Sequence, residues 1–128
     1  MSRVSDLSFQ VFAAGQRVAT AKSVPFTLPA WVSSVLIVTD VSAVTATTMV
    51  MDIEAFVGDG ANGTWRLYEP GALVYNAVAA FEEYIGSSLA PSGPPPTVRA
   101  VGLPAVFRFS ATLTGVDITF DTKAAWVG

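Results

Sequence analysis

The chain has 128 residues, 52% of them hydrophobic, and 7 Lys or Arg stand against 10 Asp or Glu for a formal net charge of −3. The charged fraction of 13% is about half that of an average domain, so charge covers the surface thinly and part of it is expected to lie against other protein. An acidic balance argues against a nucleic-acid face, and a chain without Cys or His has no disulfides, no thiolate or imidazole metal sites and no Ser-His-Asp triad.

Met1 to Gln10 carries Arg3 and Asp6 and lacks the apolar run of a signal peptide. Val35 to Val38 is too short to cross a bilayer and is soon followed by Asp40. The expectation is a protein made and kept without secretion, with no membrane partner. Leu7, Phe9 and Val11 alternate with Ser8 and Gln10, which predicts an opening strand. Phe12 breaks the alternation, so the far end of that strand is expected to be covered on both faces. Val24 to Pro29 holds Pro25 and Pro29, so it reads as an edge strand or an extended arm. Val35 to Val41 is β-branched and apolar at its start, the mark of a strand buried on both faces.

Thr47 to Phe56 predicts a further strand. Met49, Met51, Ile53 and Ala55 share one face, and Val50, Asp52, Glu54 and Phe56 the other. Gly58 to Gly63 is the strongest turn, and Thr64 to Tyr68 returns from it to form a hairpin, stopped by Glu69-Pro70-Gly71. From Val74 to Ile85 two readings stay open: an amphipathic helix over 74–85 carrying Val74, Ala77, Val78, Phe81, Tyr84 and Ile85, or two short strands around Ala79-Ala80. Pro91 to Pro96 cannot donate a regular ladder and reads as a loop within one domain. Near the end, Phe107, Phe109, Ala111 and Leu113 alternate with polar residues. Thr114-Gly115 then makes a turn, and Val116, Ile118 and Phe120 alternate back as a closing hairpin. The expected fold is all-β, an antiparallel β-sandwich or jelly roll forming a single domain over residues 1–128. Phe107, Phe109, Ile118 and Phe120 lie in its core, and residues 1–29 form an extended N-terminal segment.

Few residues invite chemistry. Asp52 and Glu54, two apart on one strand, place their carboxylates about 7 Å apart, a separation that suits an inverting glycosidase. A solvated strand face accounts for the pair better, since nothing else suggests a sugar site. Asp59 sits in what could be a fragment of a calcium loop, but Gly and Ala stand where oxygen ligands are needed. No phosphate-binding glycine pattern occurs. No catalytic, cofactor-binding or metal-ligating residue is assigned, and no cofactor is expected. Trp31, Trp65 and Trp126, with Tyr68, Tyr75 and Tyr84, could stack on sugars, although core or interface packing is the commoner use of such residues. Trp126 and Val127 belong to an apolar end, Ala124 to Gly128, with no charge nearer than Lys123. With Phe26 and Trp31 they form the candidate interface, and the terminal segments Met1 to Pro29 and Ala124 to Gly128 are expected to act as arms that reach neighbouring subunits.

The stretch Val35-Leu36-Ile37-Val38-Thr39-Asp40-Val41-Ser42-Ala43-Val44 resembles a V-x-x-V-T-x-V-S/T-A-V strand of small structural proteins of tailed bacteriophages. Gly63-Thr64-Trp65 is similar to the T-W hairpin of those proteins, and Phe107 to Phe120 to their closing F-R/T-F-S … T-G-x-x-x-T-F region. The likeness runs from Val35 to Phe120. It implies a β-sandwich or jelly-roll virion protein without enzymatic activity, most often a cement or decoration protein on the head surface. Its partners would be the major capsid protein and other copies of itself, and it would be made in the host cytoplasm. A tail, neck or baseplate component, or a carbohydrate-binding host-adhesion module, are the alternatives.

Overall fold

The computed structural model describes residues 4–71, 73–86 and 97–127. Among the described residues there are nine strands and one 3-10 turn, Gly60–Asn62. The strands are β1 (Val4–Arg17), β2 (Ala21–Lys22), β3 (Phe26–Thr27), β4 (Ser34–Val57), β5 (Thr64–Glu69), β6 (Val74–Tyr75), β7 (Ala79–Gly86), β8 (Thr97–Arg99) and β9 (Val106–Val127). The frame is a pair of long antiparallel strands, β4 and β9, paired from Ser34 opposite Val127 to Ala55 opposite Phe107 with one register shift between Val41 and Ala43. Their two ends have different neighbours. On one half, β1 lies beyond β9, with β7 and then β8 beyond β4; on the other, β2 and β3 flank β9, while β5 and β6 flank β4.

The two halves face each other. Phe107 and Trp126 are nineteen residues apart on β9, about 60 Å if the strand were straight, yet their ring centroids are 6.1 Å apart. Phe9 of β1 meets Phe26 of β3 at 4.8 Å across the same gap. The strand pair therefore folds over on itself, and the continuous sheet becomes a sandwich. The corner is built by Ala46, with φ 44°, and Gly115, with φ 134°. A Cβ on Gly115 would stand 2.2 Å from the Ala46 carbonyl oxygen, so only glycine lets the two strands cross there. The inward side of β9 switches at this corner from Phe107, Phe109 and Ala111 to Ile118, Phe120, Thr122, Ala124 and Trp126.

The fold class is as the sequence implies, one open choice is decided, and three details differ. The closing hairpin is absent: Phe107 and Phe120 lie on one strand, and Gly115 is its bend rather than a turn. Of the two readings open for 74–85 the strands hold, as β6 and β7, both paired with β4, with Ala79 and Ala80 inside β7 rather than between the two. Residues 4–29 are not a free arm, since β1, β2 and β3 each pair with β9. One pair, β7 with β8, is parallel, so the sheet is mixed. Pro91 to Pro96 lies outside the described residues.

Candidate interaction surfaces and a buried polar cluster

Of the four residues expected at an interface, three lie within the chain's own packing. Trp126 is 7% exposed, with Phe9 at 4.7 Å and Phe107 at 6.1 Å between ring centroids. Val127 is buried beside it, and its carbonyl accepts from the Ser33 N–H at 3.0 Å. Phe26 is half-buried among Phe9, Phe107 and Phe109. The expectation of a reaching C-terminal arm is thereby corrected. β9 ends between β1 and β4, which cover both of its edges, so a charge-poor end is buried in its own sandwich. Trp31, 40% exposed, is the one of the four at the surface.

Asp52 and Glu54 do share the outer face of β4, and both are tied down. Asp52 accepts from the Gly71 N–H at 2.6 Å through Oδ1 and from the Thr112 hydroxyl at 2.7 Å through Oδ2. Glu54 accepts from Arg108 Nε at 2.7 Å and Lys22 Nζ at 2.8 Å. Partial burial alone would raise the Glu54 pKa, but the hydrogen bonds and charges of Lys22 and Arg108 outweigh it and lower it. Glu54 is thus held ionised, the opposite of what a general acid requires. Arg108 also lies over the Trp65 ring, 4.4 Å from its centroid, while Phe56 meets that ring edge-on at 5.2 Å. One face of this tryptophan is therefore occupied by the protein itself.

Sequence reasoning missed a cluster inside the sandwich. Glu83 on β7 and Arg99 on β8 are both buried, with Arg99 Nε 3.1 Å from Glu83 Oε1. The contact is an ion pair out of line for a hydrogen bond, and Arg99 Nη2 has no hydrogen-bond partner among the described residues. Tyr75 on β6 donates its hydroxyl hydrogen to Glu83 Oε2, and Arg99 Nη1 reaches the Pro70 carbonyl at 3.3 Å. Below them the hydroxyls of Thr39 and Thr122 lie 2.9 Å apart. Desolvation raises the Glu83 pKa, and the opposing pull of Arg99 and Tyr75 is too weak to reverse it. Burial and then the Glu83 charge push Tyr75 well above the ordinary tyrosine range. Tyr75 pairs with Met49 on one half of the sheet, and Glu83 with Ile37 on the other. The cluster therefore cross-links the two layers. The available signal was alternation: Phe81, Glu83 and Ile85 share one side of β7, so an inward Phe81 and Ile85 place Glu83 inward too.

Outside, the β5–β6 side presents Val57, Leu67, Tyr68 and Val74, all exposed, with Leu67 at 61%. Among the described residues no group of three or more acidic side chains could hold a metal ion, and no helix is long and apolar enough to cross a membrane.

No protein-family model matches the chain. No curated protein matches it either. Among solved structures it is similar to a chain of "Structure of infectious bursal disease virus Gx strain", with a TM-score of 0.50 and 12% sequence identity. The likeness covers 100% of this chain and 32% of that one, so the present chain spans about a third of its length. What the two share is a fold.

Proposed function

We propose that the chain is a non-enzymatic structural component of a virus particle, specifically a cement protein on the head of a tailed bacteriophage. It would bind the outer face of the major capsid lattice, join neighbouring subunits and stabilise the head. The observation that carries the reading is the fold, which over its full length resembles part of a chain in a virus structure. Three features support it. The strand and turn pattern from Val35 to Phe120 resembles phage structural proteins, charge is scarce at 13%, and exposed apolar side chains line the β5–β6 side. A repeated shell component needs no active site, because weak contacts multiplied over many copies give firm attachment.

The adhesion alternative has less behind it. Trp126 is buried, and Trp65 is covered on one face by Arg108. A nucleic-acid partner is also disfavoured, because Lys22 and Arg108 are committed to Glu54 and Arg99 to Glu83. The test is to add the purified protein to phage heads lacking it and pellet them. Saturable co-sedimentation, lost when Leu67→Asp and Val74→Asp are combined, is the expected result. No binding to heads, or binding to tails alone, overturns the cement reading.

A further inference from the structure

The outer face of the β1–β9–β4–β7 half carries a pattern the proposed function does not use. Two rows cross it, and the strand register fixes both. In the first, Tyr84 on β7, Leu36 on β4, Ala125 on β9 and Ser8 on β1 stand side by side. In the second stand Glu82, Val38, Lys123 and Gln10. Ser8, Leu36, Val38, Lys123 and Ala125 line a shallow hollow of about 140 Å³. Leu36, Val38 and Tyr84 are only half-buried on this face. Glu82 forms no ion pair among the described residues, and the Lys123 side chain is 64% exposed, with an ion pair to Asp121 at 3.3 Å.

We infer that this face binds a second copy of the same chain about a two-fold axis running along β4 in the plane of contact. Such an axis exchanges β7 with β9, which flank β4 on opposite sides about 4.8 Å away. Glu82 of each copy is then set opposite Lys123 of the other, and Tyr84, the largest side chain of its row, opposite the hollow above Ala125. Leu36 and Val38, on the axis, meet their own counterparts. Charge against opposite charge and bulk against a hollow, each occurring twice, make the face complementary to itself. Asp40, the next outward residue on β4, meets its own counterpart at the rim and opposes the contact. The inference rests on this face alone and not on the virion reading, and its test uses no particles.

Sedimentation equilibrium of the full chain should show a dimer. Glu82→Lys and Lys123→Glu should each weaken it by roughly tenfold or more, since each sets like charges face to face, and the double reversal should restore it. Asp40→Asn should raise the dimer fraction. Because the chain has no cysteine, Leu36→Cys offers an independent readout, and a short bis-maleimide should join two copies through that one site. A wild type that remains monomeric at millimolar concentration overturns the proposal. So does a dimer indifferent to the single reversals, or one that leaves the Leu36→Cys chains uncoupled.

Discussion

The outer faces of the two halves of the sandwich are built alike and finished differently. On the β2–β3–β5–β6 half, Lys22 and Arg108 converge on Glu54, and Asp52 is held by Thr112 and Gly71. Those groups have their partners inside the chain, so what this half offers a neighbour is the exposed Leu67 and Val74 beside them rather than a free charge. On the β1–β7–β8 half, Glu82 and Lys123 stand apart across an apolar strip. One half therefore offers apolar side chains among charges already paired, and the other a Glu82 without an ion pair among the described residues and a Lys123 held only by the partly exposed Asp121. The same contrast runs inward. Glu54 has two cations near solvent and a lowered pKa, whereas Glu83 has one cation in the core and a raised one.

The sharpest way to break this picture is in the core. Trp126→Ala should cost about 3–5 kcal/mol, the range for deleting a large aromatic side chain from a packed interior. The loss should appear in the urea midpoint of the isolated chain. An unchanged midpoint would return Trp126 to a reaching arm. Next comes the layer-bridging pair. Arg99→Met leaves Glu83 buried without its cation and should cost about 3–5 kcal/mol, while Arg99→Met with Glu83→Leu should recover most of the loss.

A smaller effect separates the two glutamates by pH. Glu83 binds its proton more tightly when folded, so its contribution to stability falls as pH rises from the ordinary 4.5 through its raised folded pKa. Glu54 behaves oppositely: its contribution is present above 4.5 and is lost as pH falls through its lowered folded pKa. Urea midpoints against pH should therefore lose their alkaline-going decline in Glu83→Gln and their acid-going decline in Glu54→Gln. The smallest effect is Lys22→Met, about 0–1 kcal/mol, because that ion pair is partly open to water.

Much of the fold was legible, and the misses share one cause. Alternation placed Phe107, Phe109, Ile118 and Phe120 inward, and each is buried. It also suggested a hairpin at Gly115, because a turn and a bent strand reverse the inward side in the same way. Only pairing with β4, some seventy residues away, tells them apart. The choice between helix and strands over 74–85 stayed open for a similar reason, since an inward Glu83 hid the period-2 pattern of Phe81 and Ile85. The apolar end at Trp126 reads identically whether it packs on itself or on a neighbour, and the position of β1 decides it. At the surface, the sequence placed Asp52 and Glu54 on one face. It could not show that Lys22 and Arg108, distant in sequence, neutralise Glu54.

The claim at the centre of the account is that the chain is a repeated part of a phage head. Quantitative mass spectrometry of purified particles tests it most directly. A copy number comparable to that of the major capsid subunit is the expected result. A handful of copies per particle would place the chain in the neck, tail or baseplate, and its absence from the particle would contradict the account altogether.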